Sequence, residues 1–164
     1  MGVLDTTTQP FPFMLTALLF SLAWALVAPL LVRGAGRAAG WILALGPVAL
    51  FGWFATYAPP IRGGATFREA TAWVPSLDVG ASFVLDGLSL LFVLLITGLG
   101  AVIAVYAGRY LEGHRDLGRF FLTFLAFMSA MLGVVLADNL LLLWLFWELT
   151  SISSFLLIGF TWTS

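Results

Sequence analysis

A single carboxylate lies in the middle of a strongly apolar stretch near the end of the sequence. In FWELTSISSFLLIGF, residues 146–160, Glu148 is the one charged side chain. Burial disfavours the charged form of a carboxylate and a nearby cation favours it, so an acid in such surroundings is suited to taking up and releasing a proton. The sequence therefore predicts a proton relay at Glu148, with a supporting polar path from the hydroxyls that follow it: Thr150, Ser151 and Ser154.

A structural role for Glu148 is the alternative. A protonated acid can hydrogen-bond a neighbouring helix, and a paired charge can fix the register between helices. Against this role, Ser151 lies three residues after Glu148 and shares its helical face, which favours a hydrated path. Since acids inside a membrane usually mark ion pathways, we prefer the relay.

The composition is that of an integral membrane protein. Hydrophobic residues make up 62% of the chain and charged residues 9%, against about 25% charged residues in soluble domains. The absence of cysteine excludes disulfides and thiolate metal sites. All seven basic residues are arginines and the net charge is -1, so no basic patch indicates nucleic acid as a partner. The predicted partner is the lipid bilayer.

Five apolar runs have the length of a membrane-crossing helix, about 20 residues. We expect an all-α polytopic protein with one transmembrane helical region over residues 1–164, its helices near 12–32, 40–58, 83–107, 120–137 and 139–160. The last run stops just before the end of the sequence, which predicts an N-terminal fragment of a longer subunit. None of these runs contains lysine, arginine or histidine, so a cation for Glu148 must come from elsewhere.

The connections between these helices differ in charge and in length. Those after the first and third helices hold five arginines, and the alternate side holds Arg62 and Arg68. Because cytoplasmic loops carry the excess of basic residues, this pattern predicts an external N-terminus and a cytoplasmic C-terminus. The longest connection alternates apolar and polar residues, which predicts a short external β-hairpin near 72–85.

Small residues and helix caps predict how neighbouring helices meet. Asp138 and Asn139 separate the last two helices, and we expect one of them to accept hydrogen bonds from the first free amides of the fifth helix. Two sets of small residues recur every four positions on the third and fourth helices and predict close contacts: Gly100, Ala104 and Gly108, and Ser129, Gly133 and Ala137.

Two long segments resemble the N-terminal region of the antiporter-like membrane subunits. They are FVLDGLSLLFVLLITGLGAVIAVYAGRYL, residues 83–111, and MLGVVLADNLLLLWLFWELTSISSFLLIGF, residues 131–160. This family includes the large A subunit of the multisubunit Mrp-type Na+/H+ antiporter and the L, or mitochondrial fifth, subunit of respiratory NADH:quinone oxidoreductase. The residues that follow the WE pair are more similar to the Mrp A subunit.

The resemblance implies a role for Glu148, which lies in the WE pair on the fifth helix. In the family this acid is essential to a proton path and pairs with a lysine on a later helix, beyond this sequence. Asp86, in LDGLSLLF, also matches a family position, but a cap at the start of the third helix is its simpler role. Asp138 is likewise a structural or secondary candidate.

Three functions stay open at this point. By resemblance the chain would work, without a cofactor, in a hetero-oligomeric complex of the bacterial plasma membrane that exchanges protons for sodium ions. The alternatives are a proton-pumping membrane subunit of NADH:quinone oxidoreductase and a structural scaffold without an ion path. An intramembrane hydrolase is disfavoured, because no histidine or second acid lies near the serines of the last helix to activate them. No metal cluster or cofactor-binding motif occurs.

Overall fold

Five long helices dominate the computed structural model, which describes residues 13–74 and 79–160. A 3-10 turn, Gly36–Ala38, joins the first two helices. A short helix, α3 (Ala58–Arg62), and a two-stranded sheet, β1 (Phe67–Val74) and β2 (Val79–Leu85), lie between the second and third long helices. The long helices are α1 (Phe13–Ala35), α2 (Ala39–Ala55), α4 (Gly87–Tyr110), α5 (Leu117–Leu136) and α6 (Leu140–Ile158).

Helices α1 and α2 form an antiparallel pair. The chain turns at Gly36, whose φ of 50° lies in the left-handed region that favours glycine. The Trp24 indole Nε1 donates a hydrogen bond to the Leu43 carbonyl at 3.0 Å. In one straight helix these two residues, 19 apart, would be separated by about 28 Å, so the two helices must lie side by side.

The predicted membrane-crossing helices are present. Four helical stretches in the described part of the chain are long and apolar enough to cross a membrane: 13–55, Gly87–Tyr110, Leu117–Leu136 and Leu140–Ile158. Because the first stretch folds back on itself at Gly36, it supplies two crossings. The all-α polytopic architecture predicted from the sequence is therefore confirmed.

Glycine residues mark the closest helix contacts. Gly40 of α2 lies so near Gly108 of α4 that a methyl group on either would overlap the other's Cα. On α5, Gly133 lies against the Phe146 ring of α6. Helix α5 is central and contacts α1, α4 and α6, whereas α2 packs on α1 and α4. The glycines of both predicted contact faces thus lie where helices meet.

The two strands form an antiparallel hairpin, as predicted, but the hairpin begins before residue 72. Phe67 pairs with Leu85 and Ala72 with Gly80, and the turn at 75–78 lies outside the described residues. The third long helix consequently begins at Gly87, and its expected start at residue 83 was wrong. A short apolar run such as residues 83–85 suits a buried strand as well as a helix.

Glu69 of β1 caps α1 from 55 residues away. Its carboxylate accepts hydrogen bonds from the backbone amides of Met14, at 2.7 Å, and Leu15, at 3.2 Å. The first amides of a helix have no partner within the helix, and negative charge is favourable at this end. The contact therefore fixes the hairpin to the start of α1.

The two ends of the bundle differ in charge. An ion pair between Arg37 and Glu112 joins the α1–α2 turn to the α4–α5 connection, so these two connections share one end. Arg62 and Arg68 lie at the hairpin end, and the opposite end holds five arginines: Arg33, Arg37, Arg109, Arg115 and Arg119. This grouping matches the one expected from the sequence, while assignment of the arginine-rich end to the cytoplasm stays a prediction.

Candidate functional site

Asn139 begins the helix that carries the candidate acid. Its side-chain Oδ1 accepts a hydrogen bond from the Leu142 amide at 2.8 Å, so Asn139 is the cap that the sequence assigned to either Asp138 or Asn139. Asp138 instead accepts a hydrogen bond from Arg68 of β1, between Oδ2 and Nη1 at 2.7 Å. Asp138 is thus placed as a structural contact between the hairpin and the α5–α6 turn.

Glu148 lies at the middle of α6. It is the ninth of 19 residues in this helix, about 13 Å along the axis from Asn139. The hydrocarbon core of a bilayer is about 30 Å thick, so a helix that crosses it places Glu148 near its centre. At that depth an acid costs at least about 2.5 kcal/mol unless protein or water accommodates it.

The side chain of Glu148 points away from the bundle. Helix α6 buries Leu142 and Ser153, whereas Glu148 is exposed in the described chain. At 100° per residue, Glu148 and Ser153 are separated by about 140° around the helix. The outward face of α6 comprises the following residues, all of them exposed: Leu140, Leu141, Trp144, Trp147, Glu148, Ser151, Ile152, Phe155 and Ile158.

The predicted hydroxyl path is only partly assembled by α6. Ser151 shares the outward face with Glu148, but its Oγ donates to the Trp147 carbonyl at 3.2 Å. Thr150 donates to the same carbonyl at 2.6 Å and lies about 160° around the helix from Glu148, while Ser154 lies about 120° away. These hydroxyls bond the helix backbone or face other directions, so α6 alone does not connect them to the carboxylate.

Glu148 has no cationic partner in the described part of the chain. The ion pairs found there include Arg37–Glu112 and Arg68–Asp138, and neither involves Glu148. Residues 13–74 and 79–160 also contain no group of three or more histidine, cysteine, aspartate or glutamate side chains that could hold a metal ion. A lone carboxylate can still exchange a proton, because this needs only an acid that water or another group can reach.

Asp86 has the capping role that the sequence favoured. Its carboxylate accepts a hydrogen bond from the Ser89 amide at 2.8 Å, and Ser89 Oγ in turn accepts from the Asp86 amide at 2.7 Å. This reciprocal pair is a capping box at the start of α4. The hydrogen bond from the Ser89 amide holds the pKa of Asp86 below its ordinary value.

Three contacts that position these helices escaped the sequence reasoning. They are the Glu69 cap on α1, the Arg68–Asp138 ion pair, and two hydrogen bonds from the Asn139 side-chain amide to Gly80 and Ser82. Each joins residues at least 54 positions apart. No local pattern could have found them, because each depends on how the hairpin folds over the bundle.

Fold and site together define a polytopic helical membrane protein with one acid at the centre of its last helix. A family model described as the N-terminus of chain 5 of NADH-ubiquinone oxidoreductase (complex I) matches residues 73–121. Na+/H+ antiporter subunit A1 of Staphylococcus haemolyticus is 45% identical over 145 residues, and that of Staphylococcus aureus is 43% identical. Both alignments cover 88% of this chain and 18% of the relative.

A solved structure agrees with these matches. One chain of the Mrp complex from Dietzia sp. has a TM-score of 0.75 and 35% identity, over 89% of this chain and 16% of that chain. The chain is therefore similar, over most of its length, to part of the A subunits of Mrp-type Na+/H+ antiporters, as its two motifs predicted. These relatives are transporter subunits and not enzymes. The chain spans less than a fifth of their length.

Proposed function

We propose that this chain is part of a subunit of a multisubunit cation/proton antiporter, and that Glu148 takes up and releases protons on its proton path. The proposed ions are protons and sodium ions, the proposed partners are other membrane subunits, and the proposed location is the bacterial plasma membrane. The names of the relatives support these assignments. Thr150, Ser151 and Ser154 are proposed to support the path where further protein or water meets α6.

One observation carries the proposal: Glu148 lies at the centre of α6 on its outward face. An acid that only joined helices of this bundle would point inward to a partner, but Glu148 has none among residues 13–74 and 79–160. An acid that faced lipid would be strongly disfavoured. The remaining surroundings are protein or water outside the described chain, where a cation can modulate its protonation.

Two further functions are tested alongside the first. The match of residues 73–121 to chain 5 of complex I favours a proton-pumping subunit of NADH:quinone oxidoreductase as the second candidate. That candidate requires redox subunits in the purified complex, whereas an antiporter exchanges ions in their absence. The third candidate, a scaffold without an ion path, requires that loss of Glu148 first disrupts assembly.

The test is Glu148→Gln in the complete complex that contains this chain. Everted membrane vesicles carrying the variant should show sodium-dependent proton exchange at background level, because the amide cannot take up and release a proton. Glu148→Asp should retain part of the exchange, since it keeps the acid on a shorter side chain. Blue-native electrophoresis should show the same amount of assembled complex for both variants and the wild type.

Glu112→Gln is the matched control, because it removes the same charge from an exposed residue at the end of the bundle. It should leave exchange unchanged. Exchange at the wild-type rate in Glu148→Gln would exclude the relay. If Glu148→Gln instead lost the assembled complex, the scaffold would be the better explanation.

A further inference from the structure

The side chain of Asn139 makes two kinds of contact at once. Its Oδ1 caps α6 through the Leu142 amide, while its Nδ2 donates to the Gly80 carbonyl at 3.0 Å and to Ser82 Oγ at 2.9 Å. A carbonyl only accepts and a backbone amide only donates, so these partners fix which end of the Asn139 amide faces the hairpin. We call the two bonds to Gly80 and Ser82 the hairpin tie.

Backbone and charge contacts reinforce the hairpin tie. The Asp138 amide donates to the Ser82 carbonyl at 2.9 Å, and an isolated bridge pairs Phe83 with Ala137. The α5–α6 turn thus lies along β2. The hairpin in turn is held to α1 by Glu69, so the start of α6 is fixed relative to the far side of the bundle.

The rest of α6 is only partly covered by the described chain. Along its 19 residues, Leu142 and Ser153 are the buried ones. Midway, the Phe146 ring packs closely on Gly133 of α5, which also limits how far the helix can rotate. At the other end, Phe160 is buried against Phe120 and His114, just beyond the last turn of α6. The contacts at the first turn therefore fix the rotation and the depth of α6 together with those at its far end.

We infer that Asn139 is a positioning residue for Glu148, acting through the hairpin tie. A helix transmits rotation and translation along its axis, and each residue of slippage turns the helix by 100° and moves it by 1.5 Å. Glu148 lies nine residues from Asn139 on the same helix, so a movement of the first turn also moves Glu148. The tie therefore contributes to setting which way the carboxylate faces. This inference rests on the proposed role of Glu148 in proton transfer.

The variant Asn139→Ser separates the two contacts of this side chain. Serine is a strong helix cap, so the bond to the Leu142 amide is retained, but its shorter side chain does not reach Gly80 and Ser82. The change introduces no charge. The control is Asp86→Ser, which likewise leaves a serine cap, at the start of α4, where the carboxylate that it removes bonds Ser89 of its own helix.

Two measurements on the complete complex report the position of Glu148. One is sodium-dependent proton exchange in everted vesicles. The other is labelling of Glu148 by dicyclohexylcarbodiimide, followed by mass spectrometry across a pH series, since this reagent modifies protonated carboxyls in apolar surroundings. Asn139→Ser should reduce exchange roughly ten- to hundredfold, the scale on which a remote change displaces a reacting group by about 1 Å. The labelling profile should differ from that of the wild type, because a displaced carboxyl meets different surroundings.

Assembly should be equal in Asn139→Ser, Asp86→Ser and the wild type. Wild-type exchange and an unchanged labelling profile in Asn139→Ser would overturn the inference. If Asn139→Ser failed to assemble, Ser82→Ala, which loses one of the two bonds in the tie, decides the matter. An unchanged labelling profile in Ser82→Ala would then show that the tie serves folding alone.

Glu148→Gln, measured in the same vesicles, separates this inference from the proposed function. Exchange that survives Glu148→Gln would contradict the proton path itself. Exchange that is lost in Glu148→Gln but intact in Asn139→Ser would contradict only the positioning role of Asn139.

Discussion

Helices α4 and α6 are both apolar and long enough to cross a membrane, yet their exposed faces differ in kind. The exposed face of α4 carries aliphatic side chains and Phe92 along most of its length, and Tyr106 and Tyr110 at one end. Tyrosines at that level are typical of the boundary between hydrocarbon and headgroups. The outward face of α6 instead places Glu148 and Trp147 at mid-helix.

The difference indicates what each face contacts. The apolar side chains on the exposed face of α4 lose no hydrogen bonds when they contact lipid. A carboxylate or an indole in the middle of the membrane does, because lipid offers it no hydrogen-bond partner. We therefore expect lipid against α4, and protein or water against α6. The inner faces differ as well, because α4 is held by glycine contacts with α2 while α6 buries few residues.

The largest expected effect comes from placing an acid on the α4 face. Leu99 lies near the middle of α4 and is 53% exposed. If lipid covers this face, Leu99→Glu should destabilise the inserted protein by at least about 2.5 kcal/mol and sharply reduce the assembled complex on blue-native gels. Leu99→Ala is the control and should assemble normally. Wild-type amounts of the Leu99→Glu complex would show that protein or water also covers α4. The proposed difference between the surroundings of α4 and α6 would then be wrong.

A second prediction concerns the inner face of α4. A methyl group at Gly108 would overlap Gly40 of α2, so Gly108→Ala should lower stability by about 1 to 3 kcal/mol through overpacking. Gly52→Ala, on α2, is the matched control, since no atom lies within 4 Å of the added methyl. Thermal unfolding in detergent measures both. Equal midpoints for the two variants would mean that the α2–α4 contact is looser than described.

The smallest expected effect is at the start of α4. Asp86→Ala removes the capping box and should lower stability by about 1 kcal/mol. The hydrogen bond from the Ser89 amide lowers the pKa of Asp86 from 3.8, so the carboxylate stabilises the fold above that value. This stabilisation is lost as the pH falls through the lower folded-state pKa.

The difference in unfolding temperature between wild type and Asp86→Ala should accordingly shrink as the pH is lowered below 3.8 toward the lower folded-state pKa. Asp86→Asn keeps a capping oxygen and should remove most of this pH dependence. A difference that stayed constant with pH would mean that the capping charge contributes nothing.

Local patterns predicted much of the fold, because a membrane helix is specified by a continuous apolar run and a cap by the side chain before it. The cap at Asn139 and the capping role of Asp86 could be read in this way. The start of α4 could not, since residues 83–85 are apolar enough for a strand or a helix.

The sequence predicted the geometry of the candidate site less completely than it predicted the helices. The depth of Glu148 followed from counting residues along α6. Its direction did not, because the face that a helix buries depends on which neighbours the bundle places beside it. The grouping of Thr150 and Ser154 with Glu148 came from nearness in sequence, whereas the helical angle places them on other sides of α6.

The cap that Glu69 supplies to α1 has a consequence for biosynthesis. The amides of Met14 and Leu15 are synthesised 55 and 54 residues before the carboxylate that accepts their hydrogen bonds. At about 5 to 20 residues per second, this delay lasts roughly 3 to 11 s. Until the strand that follows α3 has been translated, the leading amides of α1 must bond to water or to another temporary acceptor.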